Sequence, residues 1–230
     1  MHPTGTDPAA IARLRLLQLI SPSLPTGAFA YSQGLEWAVE GGWVRTESEL
    51  ADWLESQLAA TLTHLDLPLV QRVYQASAAS DLVRLNFWID YLVAGRETAE
   101  LREEERQRGR ALAQLLATLD VERDESWLAA LERSQLAGFG HAARVWDIPV
   151  SDAMTGYAWS WLENQVLAGV KLVPLGQSAG QRVLRDLAGV VAHSVAEAFA
   201  LEDDALGASS PAATLASCRH ETQYTRLFRS

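Results

Sequence analysis

Residues 46–65, TESELADWLESQLAATLTHL, decide the fold class. Leu50, Trp53, Leu54, Leu58, Leu62 and Leu65 recur at intervals of three and four. At about 3.6 residues per turn that spacing places all six on one stripe of a helix. Polar residues fill the opposite side, so the stripe predicts a single buried face. Thr46 with Glu49 three positions later is a capping-box pattern and predicts the start of the helix. Asp66-Leu67-Pro68 predicts its end and the opening of the next helix, because proline is tolerated only in the first helical turn.

The same period continues in both directions. Residues 9–20 carry Leu14, Leu16, Leu17 and Leu19, a broad apolar helix ended by the loop with Pro22 and Pro25. Leu82, Leu85, Ile89, Leu92 and Val93 form another stripe, stopped by Gly95. The segment 97–119 opens on the charged run ELREEERQRGR and turns apolar at Leu112, Leu115, Leu116 and Leu119. Its early part predicts a solvated face, with pairs such as Glu104/Arg108 and Arg102/Glu105 adding a little helix stability. Two later segments are the most apolar, 151–173 (Tyr157, Trp161, Leu162, Val166, Val170, Val173) and 177–201 (Val183, Leu184, Leu187, Val190, Val191, Val195, Phe199). Pro174 and Gly176 separate them. There is no Asn-Gly hairpin and no sustained apolar/polar alternation. The expectation is therefore an all-α, single-domain bundle of roughly eight to ten helices over 1–206. After Leu206 the composition changes to GASSPAATLAS and then CRHETQYTRLFRS, which predicts a flexible, partner-binding C-terminal tail over 207–230.

At 230 residues the chain can bury one sizeable core. A formal charge of −10 argues against nucleic-acid binding, which needs a basic surface to displace counterions. The single cysteine, Cys218, excludes an internal disulfide and suits a reducing compartment. No apolar run reaches the roughly 18 residues of a membrane span, and the first residues carry no secretory pattern. These features predict a cytoplasmic protein with no membrane partner. Of 19 basic residues only Lys171 is a lysine.

The chemistry-bearing candidates are few. In SPSLPTGAFAYSQGLE, residues 21–36, the run Ala30-Tyr31-Ser32-Gln33-Gly34 loosely matches a nucleophile elbow. That device needs a strand feeding a sharp turn, with an acid and a histidine further on. Asp152 and His193 satisfy the order alone, so a helical enzyme using Ser32 is the weaker alternative. Gly176 and Gly180 lack the spacing of a phosphate-binding loop, and Lys171 precedes them. The histidines at 2, 64, 141, 193 and 220 are scattered, and Cys218 with His220 makes only a two-ligand pair. No catalytic, cofactor or metal residue is assigned. Among the tryptophans, Trp53 and Trp161 fall on apolar stripes, whereas Trp37, Trp43 and Trp146 lie near glycines or loop junctions. Tryptophan and arginine are what interfaces favour. The residues alone thus predict a binding or assembly module, such as a regulatory interaction domain.

Four segments carry more than composition: LLQLISPSLPTGAFAYSQGLEWAVEGGWV, GRALAQL, WSWLENQV with GVKLVPLGQSAGQR, and HETQYTRLFRS. In that order they resemble the UreF family of urease accessory proteins over nearly the whole chain. The resemblance implies a non-enzymatic, all-helical chaperone of urease maturation, without a cofactor of its own. It implies a homodimer that binds a UreD-type protein (UreH in some systems), recruits the GTPase UreG and docks on apo-urease for nickel insertion. It further implies partner-binding roles for Tyr31, Ser32, Gln33 and Glu36, with Ser32 at a helix mouth in a recognition surface. The same holds for Lys171 and Gln177 around Pro-Leu-Gly-Gln, and for Arg226, Leu227, Phe228 and Arg229. Cys218 lies outside the pattern.

Overall fold

A computed structural model describes residues 7–122 and 124–230; His2 lies outside them. The described residues form eleven α-helical segments and no strand. They are α1 (Pro8–Leu19), α2 (Leu35–Glu40), α3 (Glu47–Gln57), α4 (Leu67–Ala78), α5 (Leu82–Gly95), α6 (Ala99–Thr118), α7 (Glu125–Leu131), α8 (Gln135–Val145), α9 (Val150–Leu172), α10 (Gln177–Phe199) and α11 (Pro211–His220). The all-α expectation holds. The long helices α9 and α10 pair along the core, and α9 also touches α1, α2, α3, α4 and α8.

The deciding stripe is buried as its spacing requires: Leu50, Leu54 and Leu58 are wholly enclosed, and Trp53, Leu62 and Leu65 are buried beside them. Each such side chain contributes about 1.5–3 kcal/mol relative to exposure. The start is capped, with Thr46 Oγ1 accepting from the Glu49 N–H at 3.2 Å. Glu49 reaches back to the Arg45 N–H at 2.8 Å, one residue earlier than the standard box.

The end differs from expectation. Asp66-Leu67-Pro68 does not break the rod; Leu58–Asp66 is a π-helical stretch that runs without interruption into α4. Pro68 has no N–H to return to the His64 carbonyl, and Gly207 supplies the missing donor at 2.8 Å. The proline is accommodated because it stands at the first positions of α4 and the Gly207 N–H satisfies the carbonyl its missing donor leaves free.

Three further expectations are corrected. Leu14 and Leu17 of α1 face outward, 64% and 60% exposed, because α1 meets the body only along its other side. There Leu16 and Ile20 lie against Gly156. The charged start of α6 is no solvated face, since Glu104 and Glu105 are buried. Glu104/Arg108 pairs at 2.8 Å, but Arg102 donates to the Arg96 carbonyl rather than to Glu105. Finally, residues 207–230 depart from the expected flexible tail. They form α11, which packs on α2, and then a segment that returns to the body and buries Phe228 and Ser230.

Helix α9 approaches α3 at Gly169, where an added Cβ would stand 2.5 Å from a Leu50 methyl carbon. Gly169→Ala is expected to cost about 1–3 kcal/mol by overpacking. The same change in a Leu50→Ala background should cost much less, a non-additivity readable by urea denaturation.

Candidate functional site

The residues singled out near the first helices and at the C-terminal end converge on one junction. The chain enters α2 through Gln33 and Gly34, both at positive φ, 52° and 85°. Gly34 is required on two counts: its φ is left-handed, and a Cβ there would lie 2.8 Å from the Ser217 backbone nitrogen of α11. The turn aims the N–H groups of Ser32 and Gln33 at one acceptor, the Ser230 backbone oxygen, at 2.7 and 3.0 Å. The Ser32 hydroxyl donates to the same oxygen at 2.6 Å and accepts from the Glu36 N–H at 3.3 Å. Ser32 therefore does sit at a helix mouth, but fully enclosed beneath the end of the chain. Its hydroxyl bonds involve no imidazole, and no strand lies under it among the described residues.

Glu36 is buried and gathers two backbone donors and a ring nitrogen. Its Oε1 accepts from the Leu227 N–H at 2.6 Å, and its Oε2 accepts from the Phe228 N–H at 2.9 Å. The His220 ring nitrogen Nε2 lies 3.2 Å from Oε2. Tyr31, also buried, donates its hydroxyl to Gln107 at 2.8 Å, and Arg229 donates to the same acceptor at 3.2 Å. Burial pushes the Tyr31 phenol upward, partly offset by the hydrogen bond from Arg229. Asn164, within the WSWLENQV motif, braces this turn by donating to the carbonyls of Ala28 and Tyr31 at 3.0 and 3.4 Å.

Gln33 leads inward. Its amide donates to Glu104 at 3.0 Å and accepts from the Trp161 indole at 2.8 Å, while the Ser230 hydroxyl donates to the other Glu104 oxygen at 3.0 Å. Beyond lies a charged cluster among α5, α6, α8 and α9. Arg96 holds Asp66 through two nitrogens, at 2.5 and 3.1 Å, and Glu105 at 3.2 Å. Tyr157 donates to Asp66 at 3.2 Å, and Glu105 accepts from Ser134 Oγ at 2.8 Å and the Leu136 N–H at 3.0 Å. Burial would raise the Glu105 carboxyl, but Arg96 and these two donors outweigh it and hold it below its ordinary value. The Tyr157 phenol is pushed well up by burial and then by the two carboxylates. A polar cavity of about 50 Å³ opens here, lined by Gln33, Asp66, Arg96, Arg108 and Gln165.

The remaining candidates are exposed, and Lys171 and the last residues border the same junction. Lys171 is exposed at the end of α9 with its ammonium 5.8 Å above the Phe228 ring, a cation–π contact. Gln177 is exposed at the first position of α10. Arg226 donates to Glu100 at 2.6 Å, Leu227 is exposed, and Tyr224 beside it projects entirely into solvent. In the sequence Glu104 and Glu105 read only as solvated helix pairs and Asp66 only as a helix end, and Glu100 and Arg96 carried no signal. His220 and Asn164 lie within the quoted motifs but carried no assigned role. Cys218 is exposed while His220 is enclosed, so the two do not form a ligand pair. Among the described residues no group of three or more His, Cys, Asp or Glu is disposed to hold a metal ion.

The described residues are thus an all-helical bundle whose C-terminal end folds back over a polar junction and leaves Tyr224, Arg226, Leu227 and Arg229 exposed. A family model for UreF matches residues 44–188. Urease accessory protein UreF of Pseudomonas putida strain W619 is 51% identical over 220 residues, 96% of this chain and 98% of the relative. The proteins of that name from Alcanivorax borkumensis (50% identical, 95% of this chain and 98% of the relative) and Alkalilimnicola ehrlichii (47%, 99% of each) are similar on the same scale. The chain belongs to the UreF family.

The Glu105 shift sets a pH dependence. A carboxyl whose folded value is lowered contributes stability above its unfolded value of about 4.5 and loses it as pH falls through the folded one. Glu105→Gln is expected to cost about 3–5 kcal/mol at neutral pH, by leaving Arg96 under-paired in the interior. The gap to wild type should narrow below about pH 4.5, as read from denaturation curves across pH.

Proposed function

We propose that this chain is a non-enzymatic scaffold of urease maturation. On this reading it binds a UreD-type protein, recruits the UreG GTPase and docks the assembly on apo-urease for nickel insertion. The observation that carries the reading is the near full-length similarity to proteins named urease accessory protein UreF. GTP hydrolysis then belongs to UreG and nickel is cargo, with no ligand assigned on this chain. A homodimer in the cytoplasm is part of the proposal; no described helix is long and apolar enough to cross a membrane.

The division of labour within the junction follows from burial. Tyr31, Ser32, Glu36 and Phe228 are enclosed and act by shaping and holding the C-terminal segment. Gln33 is half-buried and ties that segment to Glu104 and Trp161. The exposed members, Lys171, Gln177, Arg226, Leu227 and Arg229, with Tyr224 beside them, form the contact surface. Aromatic and arginine anchors at the centre of such a patch carry most of the binding energy. Lys171 adds a compact point charge that arginine does not reproduce.

Size-exclusion chromatography with light scattering, of the protein alone and mixed with UreD-type and UreG partners, tests the assembly. A monomer that co-elutes with neither would overturn it. Replacing Tyr224 and Leu227 together by alanine should leave the melting temperature unchanged and weaken the UreD-type complex by about tenfold or more. Lys171→Ala should likewise reduce UreG recruitment and urease activation on co-expression with the urease subunits. Unchanged recruitment and activation would remove Lys171 from the surface.

A further inference from the structure

Of the buried titratable groups outside the Asp66–Arg96–Glu105 cluster, His220 is the most constrained. It is the last residue of α11 and has no solvent exposure. Its Nδ1 lies 2.7 Å from Glu100 Oε2 and its Nε2 lies 3.2 Å from Glu36 Oε2. A carboxylate accepts and does not donate, whereas a neutral imidazole carries hydrogen on only one nitrogen. Both contacts are hydrogen bonds only when the ring is the imidazolium. A neutral ring turns a lone pair toward one of the two carboxylates and loses that bond.

The same two carboxylates hold the C-terminal segment from their other sides. Glu36 accepts the Leu227 and Phe228 N–H groups, and Glu100 Oε1 accepts from Arg226 at 2.6 Å. With the ring charged, the buried Glu36 and the half-buried Glu100 face one imidazolium, and Arg226 adds a guanidinium from the solvent side of Glu100, so the charges balance. With the ring neutral they do not, and an unbalanced buried charge is costly. The other charged groups around the junction are engaged elsewhere or exposed. Glu221 accepts the Ala99 N–H at 2.8 Å, and Glu40 of α2 binds Gln223. On α6, Glu103 pairs with Arg106 and Glu104 with Arg108. Arg229 lies on Gln107, Lys171 stands over Phe228, and Arg219 is exposed. His220 is thus the group whose proton sets the balance.

We propose that the His220 imidazolium is a proton-operated catch. While protonated it clamps α11 to α2 and α6 and keeps the segment 221–230 seated; when it loses its proton the segment loosens and uncovers Tyr31, Ser32 and Glu36. The catch stands on the junction geometry alone and holds whether or not the exposed face binds a UreD-type partner.

The experiment follows the full-length protein without partners, over the range of about pH 5.5–8.5 in which histidine side chains change charge. Ring ¹⁵N shifts of His220 report its protonation. Amide hydrogen exchange, corrected for the intrinsic pH dependence, reports protection at Ser32, Gln33, Leu227 and Phe228. The expected result is a charged ring at the acid end and about a tenfold or greater loss of protection at those four amides as it deprotonates, with core amides of α9 unchanged. His220→Gln, whose single uncharged amide nitrogen cannot take the places of both ring nitrogens, should show low protection that no longer varies with pH. Three results would overturn the catch: a neutral ring at the acid end, a ring that titrates without any change in protection, or a ring that stays charged throughout. The wild-type ring and exchange measurements decide the matter even if the variant fails to fold.

Discussion

Enclosed carboxylates organise the molecule. Glu36, Asp66, Glu104 and Glu105 are all buried. A carboxylate taken out of water must collect donors or a cation, or the fold is destabilised by several kcal/mol. The donors come from far apart in the sequence: Arg96 between α5 and α6, Ser134 and the Leu136 N–H at the start of α8, Tyr157 on α9, and the backbone of Leu227 and Phe228. Each satisfied oxygen ties two or more elements whose apolar faces alone would leave their axial positions loosely defined. The apolar stripes supply most of the free energy of folding. The carboxylates select which arrangement of helices receives it.

The helices were legible in the sequence because their signal is local. The 46–65 stripe, the Thr46 cap and the Pro174/Gly176 break each depend on neighbours within a few residues, and α3, α9 and α10 begin or end close to where those signals put them. The start of α6 was misread for the complementary reason. A run such as Glu103-Glu104-Glu105-Arg106 has the composition of a solvated face, and what buries it is Arg96, Gln33 and α8, none of which its own periodicity can announce. The C-terminal residues follow the same rule. Their small, polar composition predicts mobility, whereas the donors and acceptors that seat them belong to α2 and α6. Motif resemblance singled out Tyr31–Glu36 and the last residues as separate partner-binding segments and carried no sign that the two meet. It could not separate residues that hold the junction from residues that face outward.

That separation gives the family likeness a physical content. Membership in the UreF family rests on identity along nearly the whole chain. The junction sorts the residues of the family-like motifs into those that are enclosed and those that reach solvent. Ser32 and Glu36 hold the end of the chain against the body, and Tyr224, Leu227 and Arg226 are exposed on that segment. A short segment ordered in advance avoids part of the entropy cost of binding.

The π-helical stretch Leu58–Asp66 bears on how this chain can change its length. A wide turn holds one residue more than an α turn of similar height, which makes it a stored insertion. Trimming a single residue there would restore a regular α ladder and leave the residues after it on the faces they now occupy, so Leu67, Leu69 and Val70 would stay in the core. Shortening by one residue is therefore absorbed within this stretch, whereas a cut in the regular part of α4 would turn every later residue of that helix by about 100° about its axis.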